Sequence, residues 1–301
     1  MNQVFYQELI QIIPKQDVLL EEPMKKHTTF RIGGAAEYYV APSMEQLTQV
    51  LTLAKKHGII VTIIGNGSNL LVSDAGIRGL VIEIGKAMSG VRIEDRKLYA
   101  EAGTLLSRMA NVAAEHGLSG MEFAAGIPGS VGGAVVMNAG AYGGEMKDIL
   151  VSATVITCEG ELLTIPAEEL DLAYRHSCVP EKNYIVVATE FALQERPQEE
   201  IRALMEDLRK RRVEKQPLEY PSAGSMFKRP EGYFAGKLIM DAGLRGYRVG
   251  DAQIAEKHCG FVINCGNATA ADVLQLIDDV RKKVYEQFQV ELEPEVKVIG
   301  D

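Results

Sequence analysis

The period of the apolar positions changes repeatedly along the chain, from a helical repeat to short unbroken runs and back. Leu47, Val50, Leu51 and Ala54 recur at helical spacing behind Ser43, and Gln46 three residues after it completes a capping-box pattern. Gly58 ends that segment. The run Ile59–Ile64 is rich in β-branched residues and predicts a buried strand. It leads directly into Gly65-Asn66-Gly67-Ser68-Asn69, then into a second apolar run, Leu70–Val72, and a third, Leu80–Ile84. The first glycine-rich loop is therefore expected to join strand to strand.

Leu98–Ala102 predicts another strand, followed through Gly103 by a helix from Leu105 to His116 that Gly117 ends. Strand-like runs return at Ser152–Cys158 and Tyr184–Leu193. Ile201, Leu204, Met205 and Leu208 mark an amphipathic helix ending in Arg209–Arg212, and Gln216–Gly224, with Pro217 and Pro221, reads as a linker. Beyond it, Thr269 and Asp272 cap a helix with the stripe Val273, Leu276, Ile277, Val280 and Val284. Val290–Ile299 predicts a final strand, with Glu291, Glu293, Glu295 and Lys297 on one side and Leu292, Val296 and Val298 on the other. The fold class is mixed α and β. Breaks in pattern predict a boundary near residues 195–215 and a softer one near 85–100.

Length and charge narrow the possibilities. The 301 residues suffice for two or three domains with cores of their own. A net charge of −9 repels nucleic acid and anionic membranes, so an anionic ligand must be held by main-chain N–H groups or placed Arg and Lys. The first twenty residues, with Pro14, Lys15 and Asp17, lack a signal pattern, and no window approaches about 18 uninterrupted apolar residues. A cytoplasmic protein is expected. Cys158, Cys178, Cys259 and Cys265 form no CxxC pair and read as free buried thiols. The scattered His27, His57, His116 and His176 suggest no metal.

The Gly65–Asn69 loop fails a Rossmann test, because Leu70 stands where a glycine opening a helix is required. Gly236-Lys237-Leu238 likewise fails as a Walker A loop. What remains is a turn whose successive N–H groups suit phosphate oxygens, or simply a tight strand connection. A second stretch changes the balance. Ala124–Gly144 holds seven glycines and five alanines in twenty-one residues, with Ile127, Val131, Val135, Val136 and Met137 interleaved and wanting burial. Such small residues are expected where a ligand lies against the backbone. Two donor-rich loops suit a diphosphate linking two flat ring systems outside a Rossmann framework.

Six motifs in order make the chain recognisable: Thr28–Gly34 (TTFRIGG), Ile64–Val72 (IGNGSNLLV), Ala125–Gly144 (AGIPGSVGGAVVMNAGAYGG), Tyr174–Ser177 (YRHS), Pro221–Pro230 (PSAGSMFKRP) and Leu292–Gly300 (LEPEVKVIG). From about residue 25 onward the chain resembles the UDP-N-acetylenolpyruvoylglucosamine reductase family. The resemblance implies a two-part FAD-binding region of the vanillyl-alcohol-oxidase type, residues 1–90 and 91–197, then an α+β substrate domain, 198–301, with a connecting helix at 198–214. It implies NADPH-dependent reduction of the enolpyruvyl ether of UDP-N-acetylglucosamine to UDP-N-acetylmuramate, a step toward peptidoglycan. NADPH reduces a non-covalent FAD, which then passes hydride to the substrate. Only a few residues separate Leu193 from the helix at 199, so the shorter subtype is implied, without a tyrosine-bearing insertion that closes over the substrate. A monomer is expected.

Site roles follow from the same resemblance. Ser225 matches the proton donor, Arg175 the carboxylate-polarising arginine and Glu295 the catalytic glutamate. By themselves these read as a turn serine, a surface arginine and part of a polar strand face. Gly65, Asn66, Gly67, Ser68 and Asn69 would meet FAD from the first loop. Ala125, Gly126, Ile127, Pro128, Gly129, Ser130, Gly133, Ala134, Asn138 and Ala139 would do so from the second, joined by Val187 and Arg212. Lys215, Arg229 and His258 are the substrate-contact candidates. The rival readings are an FAD oxidase of the same fold and a non-catalytic nucleotide-sugar binding protein. The oxidase often tethers its flavin through a His or Cys, which the first loop lacks. The binding protein would need neither the loops nor the Arg, Ser and Glu set.

Overall fold

The computed structural model describes residues 1–301. Its contacts divide the chain into two compact units interleaved in sequence. Unit 1 comprises Met1–Leu19, Tyr38–Asn66 and Gly79–Arg212; unit 2 comprises Leu20–Glu37, Gly67–Arg78 and Val213–Asp301.

Unit 1 opens with helix α1 (Gln3–Ile12), whose first turn is capped by the Asn2 side chain. Helix α2 (Met44–His57) carries the expected Ser43–Gln46 capping box and ends at Gly58 in the left-handed conformation. It buries Leu47, Val50, Leu53 and Ala54, with Leu51 only partly covered. In the first sheet Ile77–Glu83 lies between Ala35–Val40 and Val61–Ile64, parallel to the latter with Val61 opposite Leu80. The second sheet is antiparallel throughout, in the order Leu162–Pro166, Leu150–Ile156, Ile185–Ala192, Lys97–Glu101, Val91–Glu94. Ile84 to Gly90 separates the strands of the two sheets. Helix α3 (Leu106–Glu115) buries Leu106, Met109, Ala110 and Ala113, and a short α4 (Val131–Val136) follows the second glycine stretch. Phe5, Tyr38, Leu80, Val155 and Phe191 are fully buried in one continuous core. Helix α5 (Gln198–Lys215) closes the unit, yet of its expected apolar stripe only Ile201 is buried and Leu204 is 40% exposed.

Unit 2 is an antiparallel sheet, Ser222–Ser225, Phe261–Asn264, Ala252–Ile254, Arg248–Val249, with helices α6 (Ala235–Asp241) and α7 (Ala270–Phe288). The Thr269–Asp272 capping box forms, and every residue of the predicted stripe on α7 is buried. Each such side chain contributes roughly 1.5–3 kcal/mol relative to exposure. The Asp74 carboxylate accepts the Ala270 and Ala271 N–H groups, satisfying donors that α7 leaves unpaired.

Several expectations need correction. Of Val290–Ile299 only Lys297–Ile299 is a strand, pairing in parallel with Leu70–Val72. Pro294 has no N–H to extend a ladder and forms only an isolated bridge to Phe227. Leu292 and Val296 are buried, but Val298 is 51% exposed, so the alternation fails at its end. The expected linker is ordered: Pro217 is buried and Ser222–Ser225 already belongs to the sheet. All four cysteines are free, but Cys158 is exposed and Cys265 only partly covered. The contacts also give two units where the sequence suggests three consecutive domains. Leu20–Glu37 and Gly67–Arg78 pack with the C-terminal part, because Leu70–Val72 pairs with Lys297–Ile299 and Thr29 Oγ1 donates to the Ser222 carbonyl at 2.7 Å.

Candidate active site

In unit 1 the strand Val61–Ile64 delivers Gly65 and Asn66 to the second glycine loop. Asn66 Nδ2 donates to the Pro128 carbonyl at 2.7 Å, and a Cβ on Gly65 would overlap Ser130 Oγ. The main-chain N–H groups of Asn66, Gly126 and Gly129 meet no protein acceptor. Gly126, Pro128 and Gly133 are exposed, whereas Gly129, Ser130 and Ala134 are buried, and Ala125, Ile127 and Ala139 pack partly against the core. Above this surface lies Arg212, its guanidinium Nη1 3.1 Å from where a Gly126 Cβ would stand. Burial pushes the Arg212 pKa below its ordinary value, and no protein carboxylate pairs with it. A desolvated, unpaired cation beside unspent N–H donors is what an anion requires.

Arg175, also in unit 1, is set in a tight turn. Ala173 and His176 bridge each other, and Arg175 takes a left-handed φ of 54°. Its Nη2 donates to the Gly140 carbonyl at 3.2 Å, and its guanidinium carbon stands 5.1 Å from the Tyr174 ring centroid. Ser177 Oγ donates to the Val136 carbonyl at 2.7 Å, fastening this turn to α4.

Unit 2 brings Ser225 and Glu295 onto adjoining strands of chain. Ser225 sits opposite Phe261; the next residue, Met226, donates its N–H to Gly260 and accepts the Glu295 N–H, both at 2.8 Å. The Glu295 carbonyl accepts from Asn69 Nδ2 at 3.1 Å, and Lys297 N–H donates to Asn69 at 2.9 Å. The later half of the first glycine loop thus carries the glutamate segment. Gly67, at φ 61°, is held beside it; a Cβ there would overlap the His27 carbonyl. Next to Glu295, Lys228 Nζ and Glu293 form an ion pair at 2.6 Å.

The substrate-contact candidates also lie in unit 2. His258 Nδ1 accepts the Gly260 N–H at 3.1 Å, which leaves the proton of the neutral ring on Nε2. Burial lowers the His258 pKa. The ring is edge-on to Phe261, 5.1 Å between centroids, and the next side chain back, Lys257, donates to the Val213 carbonyl at 2.7 Å. That bond ties the exposed end of α5, with Lys215, to the His258 segment. Arg229 lies over the Phe234 ring at 4.0 Å.

Two of the expected cofactor-contact residues are buried. Asn138 is fully buried and its side chain is engaged within the protein: Nδ2 donates to Glu145 and to the Ala173 carbonyl, and Oδ1 accepts from Lys147 N–H. It is scaffold for the Arg175 turn. Val187 is 3% exposed, and its carbonyl accepts from Ala102. The anchoring of the Glu295 segment by Asn69 has no local signal in the sequence.

The chain is similar to known proteins along its length. Residues 216–299 match the model of the UDP-N-acetylenolpyruvoylglucosamine reductase C-terminal domain, and residues 36–166 match an FAD binding domain model. The chain is 60% identical, over all of both chains, to the UDP-N-acetylenolpyruvoylglucosamine reductase of Agathobacter rectalis. It is 49% identical to that of Clostridioides difficile, across 100% of this chain and 99% of the other. A solved reductase of this type from Thermus caldophilus superposes with a TM-score of 0.79 at 40% identity, covering 93% of this chain and 97% of that one. Alkyldihydroxyacetonephosphate synthase, at 17% identity and a TM-score of 0.51 over 66% of this chain, shares the fold alone. The fold is the two-part FAD-binding architecture with an added α+β domain. The donors around Gly126 and Arg212 fit FAD: unspent N–H groups and a desolvated cation for its anionic oxygens, and glycines where side chains would block approach.

Proposed function

The chain belongs to the UDP-N-acetylenolpyruvoylglucosamine reductase family, and on that premise we propose how its own residues carry out the reduction of the enolpyruvyl ether of UDP-N-acetylglucosamine to UDP-N-acetylmuramate. Bound FAD, once reduced by NADPH, supplies the hydride. Asn66, Gly126, Gly129 and Arg212 would hold the cofactor's anionic oxygens. Arg175 binds the substrate carboxylate with parallel hydrogen bonds. Hydride addition to the terminal carbon drives the double-bond pair onto the carbon bearing the carboxylate, and Arg175 stabilises the charge that develops there. Ser225 then gives its hydroxyl proton to that carbon and recovers one from solvent. A hydroxyl is a weak acid, but the carbanion is a far stronger base, so the transfer runs downhill once hydride has moved. Glu295 acts beside Arg175 to polarise the substrate carboxylate. Lys215, Arg229 and the Nε2–H of His258 bind the UDP portion. We place the protein in the cytoplasm as a monomer; no helix is long and apolar enough to cross a membrane.

The observation that carries the reading is the seating of Glu295 on Met226, one residue from Ser225, with Asn69 of a cofactor loop holding the same segment. Rapid mixing separates the two half-reactions. Ser225→Ala is expected to leave reduction by NADPH unchanged and to slow reoxidation by substrate by roughly 10²–10⁴-fold. Equal slowing of both halves would remove Ser225 from the proton-donor role.

A further inference from the structure

Unit 2 carries a cavity of its own, bounded by residues between Lys25 and Gly34, by Asp74 and by Gly266–Thr269. Its volume of about 590 Å³ falls within the range of small-molecule sites, roughly 300–1,000 Å³. The chain turns sharply along one wall. Arg31 takes a left-handed φ of 56°, its N–H donates to the Thr28 carbonyl at 3.2 Å, and the buried Thr28 Oγ1 donates to the Ile32 carbonyl at 3.3 Å. The Ile32 and Gly33 N–H groups that follow meet no protein acceptor. Unspent N–H groups beside a left-handed residue form a concavity that suits anion oxygens.

Charge points the same way. Lys25, Lys26 and Arg31 line this cavity on a chain whose net charge is −9. Lys26 is paired with Glu22 at 3.2 Å, but Lys25 and Arg31 have no carboxylate partner. The acidic side chain on the lining, Asp74, gives its two oxygens to the Ala270 and Ala271 N–H groups, at 2.8 and 2.9 Å. Its charge is answered by α7 and not by the cavity's cations. No aromatic side chain lines the cavity, and Ile32 is 2% exposed, so a nucleobase finds no flat surface there. Asn69 and Asp74 flank opposite ends of the strand Leu70–Val72, which sets the cavity apart from the Glu295 segment that Asn69 holds.

We propose that this cavity is a separate anion site for a compact multivalent phosphate lacking a base, held by Lys25, Arg31 and the Ile32 and Gly33 N–H groups. Arg31 supplies a planar fork to two phosphate oxygens and Lys25 a point charge.

Equilibrium dialysis of radiolabelled inorganic pyrophosphate against the FAD-loaded protein, at fixed ionic strength and with saturating UDP, reads this cavity apart from the cofactor and substrate sites. One pyrophosphate per chain is expected. Lys25→Gln/Arg31→Asn removes both cations and puts at position 31 a residue that tolerates the left-handed turn. Its pyrophosphate Kd should rise at least about tenfold with turnover unchanged. Lys282→Gln/Lys283→Gln removes the same charge from exposed positions of α7 and should keep wild-type affinity. Should the first variant fail to fold, Lys25→Gln alone, at an exposed position, is expected to raise the Kd at least about threefold. Absence of binding by wild type or an unchanged Kd in the cavity variants would overturn the proposal. So would an equal loss in the α7 variant, which would reduce the effect to bulk charge. AMP displacing pyrophosphate more effectively than inorganic phosphate does would overturn the ligand class.

Discussion

His258 shows how one side chain's surroundings set its chemistry. Burial is the main reason its pKa lies below the ordinary value, and the hydrogen bond from Gly260 uses Nδ1 as an acceptor, a role only the neutral ring can play. The sign of the consequence is fixed. The unfolded chain takes up a proton as pH falls through about 6.5, while the folded protein resists until a lower pH, so stability falls over that interval. Above it the ring is neutral in both states and contributes no pH dependence. His258→Gln is therefore expected to lose less of its thermal midpoint between about pH 7 and pH 5 than wild type does. Identical slopes for the two proteins would show that His258 titrates normally. Sequence could mark His258 as a candidate, but not its tautomer, because Gly260 and Phe261 act through the local fold of their segment.

Elements were readable where local chemistry decides them. The Ser43 and Thr269 capping boxes are short-range hydrogen-bond devices, and both form as their spacing predicts. Thr269→Ala is expected to cost about 1 kcal/mol of stability, measured by chemical denaturation. A change below a few tenths would mean that Asp74, bonded to the next two N–H groups, already suffices as the cap. The two glycine loops were likewise visible, since a side-chain-poor stretch interleaved with Ile127, Val131 and Val135 has few other uses. Periodicity failed where a pattern names a face but not what covers it. Leu204 on α5 and Val298 after Pro294 both remain exposed.

At the scale of the molecule, what the sequence hid is long-range pairing. Leu70–Val72 finds its partner at Lys297–Ile299, and Asn69 its acceptor at Glu295, so a segment read as part of an N-terminal domain belongs with the C-terminal one. No local propensity records such a pairing. Gly65–Asn69 is one loop whose first half lies against the second glycine stretch and whose last residue hydrogen-bonds the Glu295 segment. The resemblance carried by six short motifs anticipated the family and the cofactor without revealing this connection.

The central claim is that this chain binds FAD, accepts electrons from NADPH and passes them to an enolpyruvyl ether. Its most direct test is an anaerobic titration of the FAD-loaded protein. NADPH should bleach the flavin, and the enolpyruvyl ether of UDP-N-acetylglucosamine should restore the yellow colour with oxygen rigorously excluded. A bleached flavin that only oxygen restores, or a protein that retains no flavin at all, would contradict the account.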